Sequence, residues 1–216
     1  YLQGYGLEVG PGEHPFVKSN KAVFLEKFVE DYDLLFPSAS KHRYINGSAE
    51  RIPADDDSFD FIFSAHCLEH CVDPIAVLKE FKRVVKHSGR VILVLPHCER
   101  TFDKGRTRSC LADHIMDHDS GVVPADYLAQ SGRHFDKFEE FLLISTTWPR
   151  HTWIDGAKNH DGSWNKEKIL AEGILHYHVW SQNEIIDLLR HLEFKINLVI
   201  DVMPGRVDSF VVVAEV

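Results

Sequence analysis

Residues 6–15 read GLEVGPGEHP, a short apolar run that enters a turn with two glycines. Gly10 and Gly12 leave this turn without side chains, so a ligand can approach the backbone closely. A glycine pair is weak evidence by itself, because ordinary turns between a strand and a helix also contain it. A dinucleotide site would have a third glycine where this sequence has Pro15. The segment therefore argues against a turn that binds pyrophosphate.

A carboxylate follows the second predicted strand. Residues 21–25 (KAVFL) form a short β run that ends at Glu26. At this position of a parallel α/β sheet, a carboxylate can accept two hydrogen bonds from the hydroxyls of a ribose. A solvated carboxylate at a strand end is the alternative. Together with the glycine turn, Glu26 predicts a site for a nucleoside-containing ligand.

Apolar and β-branched runs predict five strands in the first 96 residues and two more near the C-terminus. They cover residues 5–9, 21–25, 43–46, 59–64, 90–95, 194–202 and 209–216. Continuous apolar runs such as RVILVL indicate strands that are covered on both faces. Alternation of strands and helices, followed by a terminal strand pair, predicts a Rossmann-like three-layer α/β sandwich. Its sheet is expected to be mostly parallel and seven-stranded, with an antiparallel terminal strand.

Two helices have clear sequence signals. Asp73 can cap the first helix, and Gly89 can terminate it. Ser181 and Glu184 form a predicted capping box at the start of the second helix, which should run to about Leu192. Both helices carry an apolar stripe, so we expect each to pack against the sheet.

Residues 97–178 interrupt this alternation. The stretch is rich in tryptophan, histidine and polar turns, and it follows the predicted strand at 90–95. Ligands of open α/β sheets lie outside the carboxyl ends of the strands, so an insertion there can cover a bound substrate. We predict a core of residues 1–96 and 179–216 and a substrate lid at 97–178. A decorative or oligomerising subdomain is the alternative.

Composition restricts the partners of the protein. A chain of 216 residues, 44% hydrophobic and 26% charged, fits one globular domain with a large insertion. Lys and Arg number 24 against 33 Asp and Glu, and the net charge of −9 disfavours nucleic acid as a partner. No apolar run reaches the ~18 residues of a membrane span and no export leader opens the sequence, which predicts a cytoplasmic protein. The oligomeric state is left open.

An ordered series of motifs resembles class I S-adenosylmethionine-dependent methyltransferases, and the type 11 group in particular. The resemblance covers about residues 6–96 and 180–216, and it rests on the order and spacing of the motifs. They are EVGPG (8–12), GSAERIP (47–53), DSFDFI (57–62), LEH (68–70), DP (73–74), LKE (78–80), RVVK (83–86) and SG (88–89). The resemblance implies a methyltransferase that uses S-adenosylmethionine as its cofactor.

The resemblance also implies a set of cofactor contacts. Glu8, Gly10 and Gly12 would surround its methionine and sulfonium end, and Glu26 would hold the ribose hydroxyls. Ser48, Ala49 and Glu50 would flank the adenine, and Ser64 and His66 would lie beside the methyl group. Two features depart from the family pattern. Ser48 stands where the family usually has aspartate, and the helix after the glycine turn is shortened to residues 13–20. The family usually has a helix before the first strand, so we expect residues that precede Tyr1.

Methyl transfer from a sulfonium depends mainly on alignment and on the exclusion of water. A hydroxyl acceptor must also lose its proton, to a histidine near neutral pH or through a metal-bound alkoxide. We select His114 and His178 as candidate general bases. His114 with His118, and His176 with His178, are spaced so that they could converge on a cation. Structural histidines are commoner than ligands, so we assign no metal site and interpret His70 as structural.

Two segments of the insertion resemble methyltransferases associated with bacterial polysaccharide biosynthesis: TFDKGR (101–106) and HYHVW (176–180). Arg106 and Arg108 could bind a phosphate or carboxylate, and Trp153 could stack on a sugar. The fourth strand is not followed by the Asn-Pro-Pro-Tyr loop of many amino-group methylases. We therefore expect O-methylation of a sugar, glycan or glycan-linked group, with another small molecule as the alternative acceptor.

Two other function classes remain open at this point. One is a non-catalytic binding module with a methyltransferase fold in a glycan-assembly system, which Ser48 and the shortened helix slightly favour. The other is a nicotinamide-dependent oxidoreductase, against which Pro15 argues.

Overall fold

A computed structural model describes residues 1–12, 15–17, 22–27, 44–147 and 156–216. The strands found there are β1 (Gly6–Val9), β2 (Ala22–Glu26), β3 (Tyr44–Asn46), β4 (Phe59–Ala65), β5 (Val85–Pro96), β6 (Lys195–Ile200) and β7 (Ser209–Glu215). They form one sheet in the order β3-β2-β1-β4-β5-β7-β6. The first five strands pair in parallel, whereas β7 is antiparallel to both β5 and β6. The predicted fold class is confirmed.

Both faces of the sheet are covered by apolar side chains. On one face, Leu7 and Leu93 belong to a buried cluster with helix α1 (Pro74–Val84) and a C-terminal helix at Gln182–His191. On the other face, Phe61 and Val94 belong to a second buried cluster. Burial on both faces explains why residues 91–95 of β5 are continuously apolar.

Helix α1 begins where the sequence predicts and ends earlier. Asp73 caps the helix, because its Oδ1 accepts a hydrogen bond from the backbone N–H of Ala76 at 3.0 Å. The predicted end at Gly89 is wrong, since the helix stops at Val84 and β5 begins at the next residue. Gly89 instead allows close packing of two strands: a Cβ there would lie 2.9 Å from the carbonyl oxygen of Asp60.

The predicted capping box at the C-terminal helix is confirmed. The backbone N–H of Ser181 donates to Glu184 Oε2 at 2.8 Å, and the helix runs over Gln182–His191. The buried Trp180 precedes it. The helix is thereby fixed at its first turn, and its apolar stripe packs against the sheet.

The stretch between β5 and the C-terminal helix contains α2 (Leu111–Ser120), α3 (Arg133–Ile144) and α4 (Lys166–Ala171), and the C-terminal helix is α5. A short 3₁₀ helix at Pro124–Leu128 joins the first two. The stretch has an apolar cluster of its own, which includes Tyr127, Phe138, Phe141 and Ile169. Within the described ranges, no helix combines the length and apolar character needed to cross a membrane.

We expect the buried cluster between the sheet and helices α1 and α5 to make the largest contribution to stability. Leu78→Ala in α1 should lower the free energy of unfolding by about 2–5 kcal/mol, because it opens a cavity in packed surroundings. Urea denaturation measures this change. Leu143→Ala is the matched control: Leu78 is 0% exposed and Leu143 is 74% exposed, so the control should change stability by no more than about 0.5 kcal/mol. Equal losses in the two variants would contradict the assigned core.

Candidate functional site

A cavity of about 600 Å³ lies at the carboxyl ends of β1, β2 and β4, within the size range of small-molecule sites. Parallel pairing creates this edge, since Val9 is opposite both Leu25 and Ser64. The strand side of its lining is formed by Val9, Gly10, Gly12, Leu25, Glu26, Lys27, Gly47, Ser48, Ala49, Glu50, His66 and Cys67.

The glycine turn is held open by its backbone conformation. Gly10 has a φ of 66° and Gly12 a φ of 57°, both in the left-handed region that favours glycine. The N–H of Gly10 donates to the carbonyl of Leu25 at 3.0 Å, which fixes the turn against β2. A Cβ on Gly10 would lie 2.7 Å from the Sγ of Cys67. The turn thus brings backbone to the cavity where a side chain would not fit.

The structure brings most of the expected cofactor residues to this cavity. The residues that line it are Gly10, Gly12, Glu26, Ser48, Ala49, Glu50 and His66. Glu26 is positioned by its own backbone, because its carbonyl accepts a hydrogen bond from the N–H of Gly47 at 3.2 Å. Its Oε1 accepts one from the N–H of Lys27 at 2.9 Å.

Glu8 and Ser64 do not line the cavity. Ser64 is buried within β4. The buried carboxylate of Glu8 accepts hydrogen bonds from the backbone N–H groups of Phe16 and Val17, at 2.8 and 2.9 Å. Burial raises the pKa of Glu8, and these two hydrogen bonds partly offset that rise. Glu8 therefore holds the segment after the glycine turn in place.

His66 follows β4 in an unusual conformation for a residue with a side chain. Its φ is 51°, and its N–H donates to the carbonyl of Val94 at 2.9 Å. The ring lies between two polar groups: Nε2 is 2.9 Å from Ser209 Oγ, and Nδ1 is 3.4 Å from Glu69 Oε1. Strained residues that the surrounding structure holds in place occur often at functional sites.

A 3₁₀ helix at Leu68–His70 forms the floor of the cavity. His70 lines the cavity, and its Nδ1–H donates a hydrogen bond to the Leu175 carbonyl at 3.1 Å. Burial, together with the neighbouring His176, lowers the pKa of His70 to about 4. The ring is therefore neutral near pH 7.

The stretch between β5 and α5 forms the opposite wall. The residues of this wall are Val122, Val123, Pro124, Leu170, Glu172, Gly173 and Tyr177. Within the insertion, only Tyr177 lies in a segment that the sequence analysis singled out, residues 176–180. Most of these side chains are apolar. The cavity thus has a polar strand side and a largely apolar wall.

The two predicted general bases lie elsewhere. His114 and His178 are 0% and 1% exposed, and neither lines the cavity. His114 Nε2 accepts a hydrogen bond from Trp180 Nε1 at 3.0 Å, and His178 Nε2 lies 3.2 Å from the Val72 carbonyl. Burial, reinforced by Lys137, lowers the pKa of His114 to about 4, and burial also lowers that of His178. The geometry does not support their selection as bases, because both rings are enclosed in the core.

Of the expected substrate-binding residues, Arg106 and Arg108 do not line the cavity. Arg106 is buried and donates to Asp103 Oδ1 at 2.6 Å and to the His176 carbonyl at 2.8 Å, so its guanidinium has internal partners. Arg108 is exposed and lies 3.3 Å from Glu184 Oε1. Trp153 lies outside the described residues. The assignment of Arg106 to an external anion is therefore wrong.

Sequence comparison finds methyltransferases. Residues 7–93 match the family model described as a methyltransferase domain. A demethylmenaquinone methyltransferase of Bacillus velezensis is 42% identical over 110 residues, which cover 49% of this chain and 47% of that protein. A malonyl-[acyl-carrier protein] O-methyltransferase of a Marinomonas species is 37% identical over 57 residues, 26% of this chain and 21% of that protein. This chain thus spans less than half the length of either relative.

Structure comparison extends the likeness to the whole fold. A crystal structure of a SAM-dependent methyltransferase from Aquifex aeolicus superposes with a TM-score of 0.54 and 15% identity, covering 98% of this chain and 81% of that one. At this identity the likeness concerns the fold. The chain therefore shares the fold of that structure, and its residues 7–93 are similar to a methyltransferase domain.

We expect His114 to act on stability. His114→Ala should lower the free energy of unfolding by at least about 1–3 kcal/mol, because the buried Trp180 N–H would lose its acceptor. Urea denaturation tests this, with the exposed His160→Ala as the control that should leave stability unchanged. A stable His114→Ala protein would show that this hydrogen bond contributes nothing.

Proposed function

We propose that this protein transfers a methyl group from S-adenosylmethionine to an oxygen of a small, hydroxylated organic acceptor that has an apolar face. The observation that carries the proposal is one cavity that joins the glycine turn, Glu26 and His66 to the apolar wall at Val122–Pro124. Polar groups for a nucleoside and an apolar surface for an acceptor thus border the same space.

The residues of the strand side fit the cofactor. The turn at Gly10 has no room for a side chain and presents backbone to the cavity. Glu26 offers a carboxylate to the ribose hydroxyls, and the backbone of Ala49 is available to the adenine. Ser48 is engaged within its own loop, since its Oγ donates to Glu50 Oε2 at 2.8 Å. That contact agrees with an adenine site that lacks the usual aspartate.

The chemistry requires little of the protein beyond position. When bound, S-adenosylmethionine supplies a methyl group already activated by its sulfonium. The residues of this chain orient the acceptor in line with that group and keep water out. His66, with its ring at the cavity and its backbone held against β5, can accept the proton of an acceptor hydroxyl.

We further propose that residues 97–178 act as the acceptor lid. The segment supplies the wall opposite the glycine turn, through Val123, Leu170 and Tyr177 among others. Such a wall suits a compact acceptor with aliphatic or aromatic surface better than a long polar chain. The sequence suggested a glycan acceptor, but neither of the two relatives reported above is named for a glycan substrate.

A second candidate is methylation of a quinone-like ring. It is favoured by the similarity to a demethylmenaquinone methyltransferase and by the apolar wall of the cavity. His66 would serve as a base for either acceptor, since methylation of a ring carbon also releases a proton, and we keep oxygen first because the Marinomonas relative is named an O-methyltransferase.

Cofactor binding provides the first test. Isothermal titration calorimetry should detect S-adenosylhomocysteine at one site per chain, and Glu26→Ala should weaken binding about 10- to 100-fold, the loss expected for a charged hydrogen bond of ~1.5–3 kcal/mol. Glu167→Ala removes an exposed carboxylate that is not part of the lining and should bind normally. Absence of binding to the folded wild-type protein would refute the proposal.

Acceptor screening provides the second test. Incubation with S-adenosylmethionine carrying a labelled methyl group should label hydroxylated phenols and related small molecules, and mass spectrometry should locate the methyl group on oxygen. Labelling of a quinone ring carbon would favour the second candidate instead. Transfer to sugars alone would contradict the apolar-acceptor proposal, and cofactor binding without any transfer would favour a binding module.

A further inference from the structure

Three side chains from two separate segments converge at the floor of the cavity. Glu69 and His70 are consecutive residues of the 3₁₀ helix after β4, and His176 precedes α5. One nitrogen or oxygen atom of each lies within 4.8 Å of the corresponding atoms of the other two. Glu69 and His176 are buried, and His70 lines the cavity.

Both imidazole rings are anchored through Nδ1. His176 Nδ1 lies 2.6 Å from Asp103 Oδ2, and His70 Nδ1 lies 3.1 Å from the Leu175 carbonyl. Asp103 is held in turn by Arg106 at 2.6 Å. In each ring these contacts leave Nε2 for another partner. Histidines that bind metals are commonly oriented in this way, by a carboxylate or carbonyl at the second nitrogen.

Among the described residues, the carboxylate of Glu69 is buried without a strong hydrogen bond. It is 0% exposed, and in the part of the chain that the structure describes neither of its oxygens accepts a hydrogen bond. His66 Nδ1 is 3.4 Å from Oε1, beyond a good hydrogen bond. Burial of an ionised carboxylate without hydrogen bonds or a cation is costly. A bound cation would remove this cost.

The backbone fixes the two segments against each other. The N–H of Tyr177 donates to the Glu69 carbonyl at 2.9 Å, directly beside the three side chains. The arrangement is therefore set by main-chain pairing as well as by side-chain packing. A site held in this way can bind an ion without large rearrangement.

We propose that Glu69, His70 and His176 bind one divalent transition-metal ion. Two histidines and one carboxylate are the donor set of many catalytic Zn²⁺ and non-haem Fe²⁺ sites that keep open positions. Mg²⁺ and Ca²⁺ prefer oxygen ligands. Donors bound at about 2.0–2.2 Å around a tetrahedral ion lie about 3.3–3.6 Å apart, so the three side chains would move together by up to about 1.5 Å when an ion binds.

The position of the site suggests its use, which rests on the proposed methyl transfer. His70 borders the cavity, so an acceptor hydroxyl can reach an open position of the ion. Coordination would lower the pKa of that hydroxyl. With S-adenosylmethionine bound, the O–H bond would break with its proton passing to His66, an O–C bond would form to the methyl group, and the C–S bond would break with its electron pair staying on sulfur to give S-adenosylhomocysteine.

The test measures metal binding itself. Wild-type protein cleared of metals with a chelator should bind one Zn²⁺ per chain in a calorimetric titration, and one Co²⁺ with visible absorption bands. Glu69→Gln and His176→Gln should each weaken Zn²⁺ binding by at least tenfold, and Asp103→Asn, which disturbs the anchor of His176, about 10- to 100-fold. The matched control is His160→Gln, at an exposed histidine, which should bind Zn²⁺ as the wild type does.

Circular dichroism and S-adenosylhomocysteine titration on the same variants separate this inference from the proposed function. Folded variants that lose Zn²⁺ and keep S-adenosylhomocysteine support the metal site. Failure of the folded wild-type protein to bind stoichiometric Zn²⁺ or Co²⁺ would overturn it, whatever the cofactor result. Wild-type affinity in folded His176→Gln would also overturn it, and this variant decides the matter if Glu69→Gln does not fold.

Discussion

Parallel pairing of β1 with β2 and β4 is the constraint on which the site depends. Val9 lies opposite Leu25 on one side and Ser64 on the other, so the residues that follow these three positions meet at one edge. Those residues include Gly10, Glu26 and His66, which are far apart in the sequence. Because Gly10 and Gly12 bring no side chains to this edge, space remains between the strand ends.

The second half of the cavity depends on a different contact. The backbone hydrogen bond from Tyr177 to Glu69 connects the last part of the insertion to the 3₁₀ helix at Leu68–His70. Nearby, Asp103 and Arg106 form a buried ion pair. Removing one partner of such a pair leaves an uncompensated buried charge, which is strongly destabilising. These contacts hold the apolar wall at a fixed distance from the strand ends.

The histidines show how burial divides residues of one type among different roles. His114 and Trp180 form a buried hydrogen-bonded pair, and low solvation keeps that ring neutral. His66 has the same side chain, but it lies at the end of a central strand and faces a cavity. His70 and His176 share the floor with a buried carboxylate. Exposure and neighbours, which depend on the whole fold, separate these roles.

The sequence by itself determined the fold and placed Gly10, Gly12 and Glu26 at strand ends that border the cavity. Apolar runs predicted all seven strands, and capping residues predicted the starts of α1 and α5, because these signals are local. The glycine turn and Glu26 were found for the same reason, since each directly follows a predicted strand. The predicted end of α1 was wrong. The helix ends at Val84, and Gly89 lies where two strands pack closely together.

Only the tertiary structure decided which parts of the insertion meet the cavity and which histidines are buried. Val123 and Leu170 carry no local pattern that marks a site, and they meet Tyr177 at the cavity through packing between distant segments. Arg106 has the residue type of an anion ligand, yet the fold gives it an internal carboxylate. Long-range packing sets burial and pairing, and residue spacing along the chain does not encode them.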